Sequence, residues 1–196
     1  MSKKINIILD LDQTLISAEE MENFNFKKYK KKIQLFDSKV MDDLYIIFGR
    51  PYLQEFLDYL FTNFNVSIWT AASKSYALFI IDNFIKTKPS RKIDFIFFSY
   101  HCDYSMKLNK GLKCLSILWE KFGLKGYTKH NTIIIDDNDK VKKIQKCNCY
   151  AIPPFYFTDE NCLNDTALLD LMQSLETLLK VDENIVAKSE CLTDLL

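Results

Sequence analysis

Short apolar runs alternate with stretches whose apolar residues recur every three or four positions, and the alternation continues along most of the chain. Residues 5–10 ("INIILD") make a continuous apolar run too short for a helix and predict a buried strand. "VSIWT" (66–70), "DFIFF" (94–98), "NTIIIDD" (131–137) and "CYAIPP" (149–154) read the same way. Between them the period changes. Leu53, Phe56, Leu57, Leu60, Phe61 and Phe64 form one stripe of a predicted helix, with Pro51 in its first turn. Further helices are predicted from near Ser73 to about Lys86, over 111–123 with Gly123 as the stop, shortly after 137, and from Thr166 to about Leu179. Residues 15–50 break the rhythm with "NFNFKKYKKK" and then "IQLFDSKVMDDLYIIF". Their end predicts a hairpin, about 33–36 with 44–48, inserted after the first strand.

Strands alternating with helices predict an α/β fold, a mostly parallel central sheet covered on both faces. The expected domain runs over 1–180, with the insertion at about 15–50 and a polar tail at 181–196. Ligands of such sheets bind beyond the carboxyl ends of the strands. Three predicted strands carry polar residues at that end: Asp10 and Asp12, Thr70, and Asp136 and Asp137. Right-handed crossovers bring neighbouring strand ends together, so the two acidic pairs are expected to be close in space.

Composition narrows this picture only slightly. Lys+Arg and Asp+Glu each number 26, so no global charge argues for nucleic acid or an anionic membrane as partner. No run approaches the length of a membrane span, and no secretory segment opens the chain, so an intracellular place, nuclear or cytoplasmic, is expected. The six cysteines are then expected to be reduced thiols. Cys147-x-Cys149 suggests metal, but the chain's two histidines lie elsewhere and leave a zinc site short of ligands.

The acids suggest chemistry once two decoys are removed. "DLDQT" opens like a calcium loop, yet Leu15 and Met21 stand where that loop needs Gly and Glu. "HCDYSMKL" opens like a cysteine-phosphatase signature, but Leu108 replaces the phosphate-clamping arginine. A carboxylate pair remains, with Asp10 able to attack phosphorus and Asp12 able to move the leaving-group proton. Two such charges about 4 Å apart repel by roughly 4 kcal/mol at an effective dielectric near 20. Cations must offset that: magnesium on Asp10 and Asp136, and a lysine beside the phosphoryl group.

"DLDQTL" resembles the first motif of the haloacid dehalogenase superfamily, and "IWTAASKSYA", "GLKCLSILWEKF" and "NTIIIDDNDK" resemble its later motifs in order. With "GRPYLQEFL" added, the chain is similar over about 5–180 to the FCP/SCP group. These are the NLI-interacting-factor-like phosphatases of the RNA polymerase II C-terminal domain. "LKCLSILWEKF" is most similar to the version that carries a ubiquitin-like domain, which is not expected here. The resemblance implies a Rossmann-like (HAD-like) three-layer sandwich with a small β-hairpin insertion, and a Mg2+-dependent protein Ser/Thr phosphatase working through an aspartyl-phosphate. It implies Asp10 as nucleophile and metal ligand, Asp12 as general acid/base and backbone metal ligand, and Thr70 as phosphate binder. Thr14 and Ala71 would join Thr70 at the phosphate. Lys113 would stabilise the phospho-aspartate, and Asp136, with Asp137 beside it, would bind metal. A phosphoprotein is the implied substrate, the polymerase tail among the possibilities. The group's arginine near the position of Ser99 is missing, and its Lys-Arg-Pro is Gly49-Arg50-Pro51.

Several readings stay open on the residues alone. Lys107 and Lys110 compete with Lys113, and Asp137 serves equally as a cap for the next helix. Lys27, Lys28, Lys30, Lys31 and Lys32 form either a solvated face or a steering patch for a phosphorylated substrate. Phe24, Phe26, Ile33, Leu35 and Tyr45 either line a proline pocket or anchor the insertion. A non-catalytic peptide adaptor on the same fold, or a phosphatase for small-molecule or nucleic-acid phosphates, are the alternative functions.

Overall fold

The computed structural model describes residues 5–106, 110–181, 186 and 189–196. Its central sheet has the strand order β6-β5-β1-β7-β8, formed by β1 (Asn6–Leu9), β5 (Asn65–Trp69), β6 (Ile93–Phe97), β7 (Thr132–Asp136) and β8 (Cys149–Ala151). Every pairing in it is parallel. Each strand was legible as an apolar run because both of its faces are covered. Ile7, Leu9, Ile133, Ile135, Val66 and Ile68 face one way, into a core with α2 (Leu53–Asn63), α3 (Lys74–Ile80) and α7 (Ala167–Lys180). Ile8, Ile134 and Trp69 face the other, toward α4 (Ser99–Cys102), α5 (Ser116–Glu120) and α6 (Asp139–Ile144). The buried stripe of α7, Leu168, Leu171, Leu175 and Leu178, keeps the three-and-four spacing of the sequence.

The insertion departs from expectation. Residues 33–36 are not a strand: α1 (Phe26–Ile33) ends there, and Phe36 extends the helical spacing of Phe26, Tyr29 and Ile33. The hairpin partner is β3 (Ser38–Met41), joined to β4 (Tyr45–Gly49) through Asp42 and Asp43 with φ of 48° and 54°. β2 (Ile16–Glu20), unforeseen, pairs antiparallel with β4 and makes the sheet three-stranded, in the order β2-β4-β3. Its Ser-Ala-Glu-Glu composition hid it. Phe24 and Ile33 pack on this sheet's core, and Tyr45 meets the Tyr76 ring edge-on at 5.6 Å. Phe26 and Leu35 are exposed, Leu35 at 65%. The first three act as anchors, and Leu35 anchors nothing.

Three other expectations are corrected. Pro51 lies before its helix, which starts at Leu53 after Tyr52 in the left-handed conformation (φ 63°). The helix expected over 111–123 shrinks to Ser116–Glu120, because Lys110 and Gly111 are both left-handed (φ 53° and 77°) and Lys113 must reach the sheet edge. Gly123 (φ 59°) does stop it, letting the Leu124 amide bond the Leu118 carbonyl at 2.8 Å. The thiols are not all reduced: Cys147 and Cys191 form a disulfide, while Cys102, Cys114, Cys149 and Cys162 are free and buried. That bond holds the described end of the tail, whose Leu192 is buried. No helix among the described residues is long and apolar enough to cross a membrane.

Candidate active site

The central place of β1 makes the site. Leu9 pairs with Ile135, and the Asp10 amide extends that register by donating to the Ile135 carbonyl at 3.0 Å, which sets Asp10 beside Asp136. The chain then turns sharply. The Leu11 carbonyl accepts from the amides of Thr14, Leu15 and Ile16, and Gln13 takes the left-handed conformation (φ 56°). Asp10 and Asp12 both line the resulting cleft of about 710 Å3, together with Thr70, Ala71, Lys113, Asp136 and Asp137.

Oxygens of Asp10, Asp136 and Asp137 all lie within 4.8 Å of one another. The Lys113 ammonium joins them, contacting Asp10 and donating to Asp136 Oδ2 at 2.9 Å. Asp136 is also oriented by the Asn138 amide, which donates to its Oδ1 at 2.9 Å. Asp136 is fully buried, and Asp10 and Lys113 nearly so. Burial pushes the Asp10 carboxyl up to about 8; Lys113 opposes the shift and Asp136 adds to it. Burial alone would lower the Lys113 pKa, but Asp10 and Asp136 outweigh it and hold the ammonium charged. Asp12 stands apart from the cluster. Burial raises its carboxyl above the ordinary range, and the Tyr76 hydroxyl, donating to Oδ1 at 2.6 Å, draws it partly back.

Thr70 ends β5 with its amide on the Phe97 carbonyl at 3.0 Å, and its Oγ1 accepts from the Ala72 amide at 3.0 Å. The hydroxyl proton is therefore left to donate into the cleft. Thr14, expected at the phosphate, is instead fully buried and directs its hydroxyl to Asp137 Oδ1 at 3.4 Å. Asp137 does not cap the next helix; Asn138 does, accepting from the Lys140 amide. Lys110 is exposed and does not line the cleft, and Lys107 lies outside the described residues. Cys102 lines the cleft, but burial raises its thiol pKa, which disfavours the nucleophilic thiolate.

Residues 5–185 match the family described as NLI interacting factor-like phosphatase. The chain belongs to that phosphatase family. It is 49% identical over 175 residues to the CTD phosphatase-like protein 355R of Invertebrate iridescent virus 6, covering 87% of this chain and 96% of that protein. To human ubiquitin-like domain-containing CTD phosphatase 1 it is 29% identical over 153 residues, covering 76% of this chain and 48% of the relative. The structure of fission yeast RNA polymerase II CTD phosphatase Fcp1 bound to beryllium fluoride shares its fold, with a TM-score of 0.57 at 18% identity. That match covers 95% of this chain and 54% of the other. The chain thus spans about half the length of the human relative and of the solved Fcp1.

Three residues that position the site of this NLI interacting factor-like chain were not legible as such. Tyr76, within the quoted second motif, reaches Asp12 across 64 positions. Arg50, buried, donates to the Thr14 and Pro153 carbonyls at 2.9 Å each and grips Asp165 with two nitrogens at 2.9 and 2.8 Å. It ties the turn after Asp12 to the Pro153 wall of the cleft. Gln145 donates to the Lys113 carbonyl and accepts from the Leu115 amide, both at 2.8 Å, and so fixes the loop that presents Lys113. Only the Arg-Pro pair at 50–51 hinted at the second of these.

Proposed function

We propose that the protein is a magnesium-dependent phosphoprotein Ser/Thr phosphatase that works through an aspartyl-phosphate on Asp10. The observation that carries this is the convergence of Asp10, Asp136 and Asp137 on one point beside Lys113, in a cleft of about 710 Å3. Once Asp10 is ionised, three carboxylates against one ammonium leave excess negative charge, and an all-oxygen donor set of that size fits magnesium, whose charge would favour that ionisation. Asp10, Asp136 and Asp137 would hold the ion. Bound there, it would neutralise the crowded carboxylate and phosphoryl oxygens.

The rest is the work of the side chains. An Asp10 oxygen attacks phosphorus as the bond to the seryl or threonyl oxygen breaks, and Asp12 gives its proton to that departing oxygen. The raised pKa of Asp12 keeps it protonated to higher pH than an ordinary carboxyl, as an acid needs. The Thr70 hydroxyl and Lys113 ammonium donate to the transferred phosphoryl group. In the second half Asp12 takes a proton from water, which attacks phosphorus and frees Asp10. The RNA polymerase II tail is a fitting substrate because the relatives' names point to it.

Hydrolysis of an aryl phosphate with magnesium and with chelator, beside Asp10→Asn, tests the chemistry. The expected result is turnover that the chelator abolishes and that the substitution lowers at least about a thousand-fold. Activity surviving Asp10→Asn would sink the mechanism. Peptide binding without turnover would favour an adaptor. A phosphopeptide panel with polymerase-tail heptads, set against nucleotides and sugar phosphates, tests the substrate class.

A further inference from the structure

In a chain of balanced charge, α1 is a local exception: five of its eight residues are lysine and none is acidic. None of these lysines forms an ion pair among the described residues. The opposite face of the helix is fixed. Tyr29 stacks on Phe24 at 5.3 Å and meets Phe157 edge-on at 5.5 Å, and Phe157 stacks on Phe48 of β4 at 3.6 Å. Lys32 Nζ lies 4.9 Å from the Phe157 ring and donates to the Asp159 carbonyl at 2.5 Å. The Asp159 amide in turn bonds the carbonyl of Tyr156, and Tyr156 lines the cleft with Pro153 and Pro154. Three residues of chain, at most about 10 Å, separate the Lys32 anchor from the cleft wall.

The cleft itself carries Asp10, Asp12, Asp136, Asp137 and Asp139 against Lys113, so its own side chains do not attract an anionic polypeptide. The ridge beside it does. We propose that α1 docks acidic or additionally phosphorylated residues of the substrate polypeptide, which directs the enzyme to clustered phosphosites. This rests on the phosphatase reading. The reach fits a second negative group about three to six residues from the scissile one. Tyr29, Phe24 and Phe157 are engaged in packing and are not offered to stack on bases, which favours a peptide over RNA.

The test compares a doubly phosphorylated peptide with its singly phosphorylated counterpart, in the wild type and in a variant with Lys27, Lys28, Lys30 and Lys31 changed to Gln. Lys32 is kept because it bonds Asp159. The expected result is a kcat/KM about tenfold higher for the doubly phosphorylated peptide at low salt. That advantage is expected to shrink as salt rises and to vanish in the variant, with aryl phosphate hydrolysis unchanged. Equal kcat/KM for the two peptides, an advantage insensitive to salt, or one that survives in the variant would overturn the proposal. So would single-stranded RNA of equal charge outcompeting the peptide. Fluorescence anisotropy of the labelled peptide in chelator reads docking without turnover. Absence of aryl phosphate hydrolysis in the wild type would therefore strike the phosphatase reading and leave anisotropy to read the docking, where equal affinity of wild type and variant for the doubly phosphorylated peptide would overturn it.

Discussion

At the scale of single residues, the fold gives two nearby aspartates different surroundings. Asp10 lies in the carboxylate cluster under Lys113, whereas Asp12 is held by the phenol of Tyr76. Tyr76 donates to the charged form of Asp12, so removing it should raise the Asp12 pKa further. Tyr76→Phe is therefore expected to move the alkaline limb of the kcat/KM profile to higher pH. It should also lower kcat about fivefold, the equivalent of one hydrogen bond of about 1 kcal/mol. A pH profile with an aryl phosphate checks both; an unmoved limb means that Tyr76 acts only in packing. Gln13, between Asp12 and Thr14, is fixed at this scale too. Its left-handed backbone disfavours a β-branched residue, and its carbonyl accepts from the Phe155 amide at 2.7 Å.

At the scale of elements, arginines join pieces that the sheet alone leaves apart. Arg50→Lys keeps the charge but loses the two-nitrogen grip on Asp165 and a carbonyl bond, and should cost about 2 kcal/mol in urea unfolding. The second arginine, Arg91, binds α2 through the Gln54 carbonyl and Asp58, with Lys88 on the other Asp58 oxygen. Lys88 and Arg91 hold the Asp58 carboxyl below its ordinary range. The stability it contributes is thus present above the unfolded carboxylate value of about 3.9 and is lost as pH falls through the lower folded one. Asp58→Asn should be less stable than the wild type at pH 7, with the gap closing below about pH 4 in thermal melts at graded pH. The apolar stripes of α2 and α7 were legible because burial imposes their spacing. The extent of α5 was not, because the reach of Lys113 to Asp136 overrides helical preference at 111–115.

At the scale of the whole molecule, the Cys147–Cys191 bond closes 44 residues of chain around α7. By chain entropy a loop of that length is worth up to about 4 kcal/mol. Reduction, or Cys191→Ser, should lower Tm by roughly 10 °C for a chain of this size, as read by calorimetry with and without reductant. An unchanged Tm would mean that Leu192 and its neighbours hold the tail unaided. By itself the sequence determined the parallel α/β sheet and the strand-end placement of Asp10, Thr70 and Asp136, because burial period and strand-end chemistry are local; which nearby lysine reaches the acids it left open. Tertiary structure alone decided the three-stranded insertion, the burial of Thr14, and the partnerships of Tyr76 with Asp12, Arg50 with Asp165 and Cys147 with Cys191. Those pairs stand 64, 115 and 44 positions apart, and no local preference encodes which distant surfaces the packed core will bring into contact.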